Sequence, residues 1–226
     1  MSSFVLKLIA IITMLIDHVG AVFITNSNTI EWLVFRGIGR LAFPIFAFLI
    51  VEGLYHTKDV YKYITRMGIF ALISEIPFDL AFYGSVLEFK HQNIFFTLTL
   101  GLIVINIMHT VEEKYQKDIL RINIINAALT LAFSFLAALL NLDYQHLGIL
   151  LIVGFYLFRG NKVLNVMSIL IVLGYLNGDF LFGILAACSM FFIGFYNGER
   201  GKNIKYLFYV FYPAHLVIIY LIDRFV

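Results

Sequence analysis

Nine apolar stretches, at roughly 4–25, 32–55, 61–83, 93–111, 119–141, 145–158, 162–177, 179–196 and 204–223, fill almost the whole 226-residue chain. Each is a continuous apolar run. Membrane β-strands alternate, so the stretches read as helices. Short polar turns separate them, from TNSNT at 25–29 to NGERGKN at 197–203. A soluble core could not hide these side chains, because 62% of residues are hydrophobic and only 13% charged, about half the charged share of a soluble domain. A cytosolic globular domain is excluded, and so is disorder, which needs low hydrophobicity. At about 20 residues per crossing, the expectation is an all-α, polytopic membrane protein. It has about nine transmembrane helices in one bundle and a single domain over 1–226. The sixth and seventh stretches are short enough to be tilted or partly re-entrant. The first begins like a signal peptide, but Asp17 and His18 interrupt it and no A-x-A site follows, so it reads as an uncleaved span. The single cysteine, Cys188, cannot build a disulfide framework, a zinc site or a redox pair.

Placement of the basic residues orients this map. The second, fourth, sixth and eighth connections, with the helix ends beside them, hold Lys58, Lys62, Arg66, Lys114, Lys117, Arg121, Arg159, Lys162, Arg200, Lys202 and Lys205. The other four connections hold only Lys90. The positive-inside rule puts the N-terminus and the even connections in the cytoplasm and, with nine spans, the C-terminus outside. No internal repeat is visible, and an odd span number does not favour a duplicated transporter.

Ionisable residues inside spans are expensive, which makes them functional candidates. At about 1.5 Å per residue, Asp17, His18, Arg40, Glu75 and His215 form one layer about 12 Å below the outer edge. Arg36 and Asp79 form a second layer at about 6 Å. Arg36 and Arg40 share a helix face, as do Glu75 and Asp79. Pro77 and Pro213 each free a backbone carbonyl nearby, which suits cavity-lining helices. The outer turns add His91, Gln92, Asn93, Asp143, Tyr144, His146 and Asp179. Of these, His91, Asn93, Tyr144, His146 and Asp179, with Arg36, are candidates to bind an acceptor substrate. A buried ion-pair network could account for the arginines and acids, yet it needs no pair of histidines at one depth. Glu52 and Arg66, near the inner ends of consecutive spans, read as a structural pair. Arg200, Lys202 and Lys205, among Gly198 and Gly201, could hold phosphate. No metal-ligand spacing is present, and nucleic-acid binding has no support.

The segments LKLIAIITMLIDHVG at 6–20, RGIGRLAFPIFAFLIVEG at 36–53, ISEIPFDL at 73–80, HQNIFFTLTLG at 91–101 and YNGERGKNIKYLFYVFYPAH at 196–215 resemble the TraX family of membrane acetyltransferases. That family is in turn similar to the broader transmembrane acyltransferases. The resemblance implies acetyl transfer from cytoplasmic acetyl-CoA to an extracytoplasmic acceptor, a protein amine or a cell-envelope glycan. It implies a multi-pass protein of the bacterial cytoplasmic membrane and a central histidine near the first span, here His18. Catalytic expectations are His18 as base or acyl carrier, Glu75 or Asp79 as its partner at least as well as Asp17, Arg40 as the better placed oxyanion donor, and His215. Arg200, Lys202 and Lys205 are expected to hold the phosphates of acetyl-CoA. A homodimer is compatible with the sequence. Two other readings compete. Buried acids and histidines also make proton relays, so a proton- or ion-coupled transporter is one. A non-catalytic pilus or envelope assembly factor is the other.

Overall fold

A computed structural model describes residues 1–202 and 205–225, the side chain of Lys205 excepted. The helices are α1 (Ser3–Phe23), α2 (Ile30–Gly39), α3 (Ala42–His56), α4 (Val60–Tyr83), α5 (Ile94–Lys114), α6 (Ile119–Leu139), α7 (Gln145–Leu157), α8 (Lys162–Ile169), α9 (Phe180–Ala187), α10 (Ser189–Ile193) and α11 (Lys205–Phe225). Among the described residues, the extended pairing is one isolated bridge, Gln92 with Leu142. The all-helical expectation holds, and the helical segments follow the apolar stretches.

Three stretches are interrupted. The second breaks at Arg40–Leu41, between α2 and α3. Pro44 has no N–H to give the Arg40 carbonyl, so the helical ladder is cut there. The seventh changes to π-helix over Leu170–Leu176, and the eighth breaks at Cys188. Among the described residues, five helices are long and apolar enough to cross a membrane: Ser3–Phe23, Ile30–His56 taken together, Ile94–Lys114, Ile119–Leu139 and Tyr206–Phe225. The segments Gln145–Leu157, Lys162–Leu176 and Phe180–Ile193 are shorter. α4 has the length but carries Lys62, Arg66, Glu75 and Asp79. The segments agree with the nine stretches in position, while crossing length and apolarity are met together in those five among the described residues.

α1 packs against α2, α3 and α11, α3 packs in turn against α5 and α7, and α11 closes on α4. At one end of the bundle the first residues pair with the connection before α11. Ser3 N–H donates to the Glu199 carbonyl at 2.8 Å, and Phe4 N–H to that of Arg200 at 3.1 Å. Lys162 Nζ reaches the Gly194 carbonyl at 3.0 Å, and Arg159 Nε the Glu52 carboxylate at 2.7 Å. The N-terminus and the second, sixth and eighth connections therefore share one end. At the other end, Gln92 N–H donates to the Asn141 carbonyl and Asp143 N–H to that of Gln92, each at 3.0 Å, joining the third and fifth connections. The grouping of connections matches the charge alternation.

The π-helical segment packs on α9 through glycines. A Cβ at Gly183 would lie 2.3 Å from the Gly174 Cα and 2.7 Å from its nitrogen. Backbone atoms cannot move aside as a flexible side chain can. Small residues of this kind let membrane helices approach closely. Gly183→Ala should therefore destabilise the fold by roughly 1–3 kcal/mol, the cost of an overpacked core, and so lower the melting temperature in detergent. Gly68→Ala, where the nearest atom would be 3.9 Å away, should be neutral or slightly stabilising by the same assay.

Candidate active site

α1 and α11 bring two histidines from opposite ends of the sequence together. His18 Nδ1 lies 2.8 Å from His215 Nε2, with ring planes 13° apart. His215 Nδ1 lies 2.8 Å from the Phe211 carbonyl, which can only accept. For neutral rings this fixes the tautomers. His215 donates from Nδ1 to Phe211, so its Nε2 accepts the Nδ1–H of His18. The lone pair of His18 is left on Nε2. His215 is 4% exposed. Phe82 and Tyr212 stand edge-on to the His18 ring, at centroid distances of 5.3 and 6.0 Å.

Beside the histidines, Asp17 Oδ2 accepts from Arg36 Nη1 at 2.8 Å, and both side chains are about four-fifths buried. Gly39 makes room for this acid, since a Cβ there would fall 2.1 Å from Asp17 Oδ1. Oδ1 itself is buried without a hydrogen-bond partner. Arg36 Nη1 also lies 3.4 Å from the backbone carbonyl of Asp17, the residue before His18. The expectation that Arg40 is the better placed of the two is corrected. α2 ends at Gly39, and the Arg40 side chain turns toward the 141–145 connection, 3.4 Å from the Tyr144 hydroxyl and over the Phe182 ring at 4.9 Å.

The expected carboxylate partners of His18 are also corrected. Glu75 Oε2 accepts from the backbone N–H of Asn93 at 3.2 Å and from its side-chain amide. Asp79, fully buried, accepts from Glu88 N–H at 2.8 Å. Both acids anchor the connection between α4 and α5, which folds back over them. Asn93, expected in a substrate site, is fully buried and caps α5 by accepting from Phe95 N–H at 3.0 Å. Asp179 likewise caps α9, accepting from Phe182 N–H at 3.1 Å. His91 and His146 are exposed.

The 141–145 connection is strained. Asn141, Tyr144 and Gln145 all have positive φ, at 50°, 58° and 43°. Each such residue costs on the order of 1–3 kcal/mol and persists only where its surroundings impose it. Tyr144 is held by stacking on Phe43 at 4.0 Å, and the Asp143 carbonyl accepts from Thr97 Oγ1 at 2.5 Å. The strain delivers the Tyr144 hydroxyl to Arg40. Burial pushes the Asp143 carboxyl up to about 6, with Arg40 nearby opposing the shift.

At the other end of the bundle opens a cavity of about 500 Å³, whose lining includes Met14 and Tyr212 but neither His18 nor His215. Lys7, Lys58, Lys62, Arg66 and Arg200 line its outer part, with Glu52 and Asp59. Ile11, Met14, Leu49, Met67 and Leu98 line an apolar middle, and Phe95 and Tyr212 stand at its inner part. Met14 is one helical turn before His18, and Tyr212 touches both histidine rings. Of the expected phosphate-holding residues, Arg200 lines the cavity and Lys202 does not. The Lys205 side chain lies outside the described residues. Lys7, Lys58, Lys62 and Arg66 were missed as site residues: Lys58 and Lys62 read as topology signals, Arg66 also as a partner of Glu52, and Lys7 was given no role. The signal for Lys7 was present: Lys7, Ile11, Met14 and His18 repeat at the spacing of one helix face. Arg66 does not pair with Glu52 as expected. It lies over the rings of Tyr63 and Tyr209, while Glu52 binds Arg159.

The profile of the TraX protein family matches residues 2–223. A probable fimbrial assembly protein FimC, serogroup H1, from Dichelobacter nodosus is 28% identical over 237 residues, covering 96% of this chain and 94% of the relative. No solved structure matches.

Proposed function

The chain belongs to the TraX family, and from that membership and the site geometry we propose that it is a membrane acetyltransferase. It moves an acetyl group from cytoplasmic acetyl-CoA to an acceptor amine or hydroxyl on the outer side. One observation carries the reading: a histidine pair, His215 buried and His18 partly buried, stands behind Tyr212, which lines the inner part of an apolar cavity whose mouth is basic. Such a cavity suits a donor with a phosphate-rich head and a slender thioester arm. From Lys7 to His18 is eleven residues of helix, about 16 Å.

Chemistry follows from the tautomers. His18 Nε2 removes the proton of the acceptor amine or hydroxyl, whose nitrogen or oxygen attacks the thioester carbonyl. The C–S bond breaks, the new C–N or C–O bond forms, and the proton on His18 passes to the leaving thiolate as free CoA. His215 holds His18 in the required tautomer, as the acid of a catalytic triad does, with its own orientation fixed by the Phe211 carbonyl. Arg36 supplies positive charge near the developing oxyanion.

Purified protein in detergent, given acetyl-labelled acetyl-CoA and bacterial envelope extract, should move label into an envelope component. No incorporation beyond a no-enzyme control would overturn the proposal. Lys7→Gln with Arg66→Gln should raise KM for acetyl-CoA more than it lowers kcat, and added salt should shrink the difference, because salt screens these charges. An unchanged KM would place the donor elsewhere. The name of the Dichelobacter relative favours a second reading, a non-catalytic role in fimbrial assembly. Under it, assembly would survive His18→Ala.

A further inference from the structure

We infer that Phe82 and Tyr212 restrict the acyl group handled at His18 to a very short chain. The inference rests on the acyl-transfer reading above and adds the determinant of donor choice. Tyr212 is 2% exposed, stands at the inner end of the cavity and presents its ring to His18 and His215. Phe95 braces it edge-on at 5.1 Å. Phe82, from α4, faces the His18 ring edge-on at 5.3 Å and is backed by Phe78 at 4.9 Å. A thioester entering from the basic mouth must pass Tyr212 to bring its carbonyl carbon to His18. Its acyl tail then lies among ring edges already in contact with the imidazole. A methyl group asks little of that packing. Each added methylene must displace a ring that is held by another ring, and packed interiors resist such insertion. Phe82 is the better lever, because it is partly exposed and its truncation disturbs the core less than that of Tyr212.

The test follows free CoA released from acetyl-, butyryl- and octanoyl-CoA by purified protein. Water serves as acceptor, so each turnover yields one carboxylic acid and one thiol. The wild type should consume acetyl-CoA about tenfold or more faster than butyryl-CoA, the scale on which one or two methylenes are discriminated, and should leave octanoyl-CoA untouched. Phe82→Ala should raise the butyryl-to-acetyl ratio by about tenfold. Tyr212→Phe keeps the ring and should leave the ratio unchanged. Should Phe82→Ala fail to elute as a folded species, Phe82→Leu is read in the same way, with a smaller rise. Equal use of all three donors by the wild type would overturn the inference and leave the acyl-transfer reading standing. So would an unchanged ratio in a folded Phe82 variant. Consumption of none of them, with bacterial envelope extract added as acceptor, would overturn the acyl-transfer reading itself, and this inference with it.

Discussion

Acetyl transfer should fall to background in His18→Ala while the protein remains folded in the membrane. General-base catalysis, the role proposed for His18, alone contributes roughly 10²–10⁴-fold. The variant leaves His215 Nε2 without its donor, at a cost of about 1–3 kcal/mol for a buried orphaned acceptor. That loss should appear as a modest drop in melting temperature, far smaller in proportion than the loss of turnover. Turnover is followed by thiol release and folding by size exclusion and thermal melting. Activity lost only in step with folded protein would make the pair structural.

Arg36→Ala should be the most destabilising of the charge deletions at this site. It strands the Asp17 carboxylate, about four-fifths buried, with one oxygen already lacking a partner. Breaking a buried pair in this way costs roughly 3–5 kcal/mol. Arg40→Ala should be milder, because Arg40 contacts a phenol and an aromatic face rather than closing an ion pair. The double variant Asp17→Asn with Arg36→Gln should recover much of the stability, since it removes both charges. Membrane abundance and melting in detergent check all three. Equal losses for Arg36→Ala and Arg40→Ala would contradict this division of labour.

Helix spacing alone gives the two arginines equal standing, because residues four apart share a face. What separates them is the end of α2 at Gly39, and its only local sign is Pro44 five residues on. The apolar stretches themselves were legible, because a continuous run of about 20 apolar residues has few other outlets than a membrane-spanning helix. The π-helical turn at Leu170–Leu176 left no such mark in the run of apolar residues, and neither did the close approach of Gly174 and Gly183. Depth along the helices paired His18 with His215 across nearly two hundred residues. Depth carries no information about rotation, however. Glu75 shared the level of His18 and Asp79 lay one turn above it, and both are turned instead onto Asn93 and Glu88. Lys7 and Arg66 were overlooked for a different reason. Lysines and arginines at helix ends serve topology first, and only the folded cavity shows which of them surround a single space.

Free CoA released from acetyl-CoA by purified wild-type protein and by His18→Ala, measured side by side, tests the central claim most directly. The account predicts steady release by the wild type, increased by an acceptor-rich envelope extract, and background release by a variant that elutes as a folded species. Equal release by the two proteins, or none by the wild type with that extract present, would contradict it.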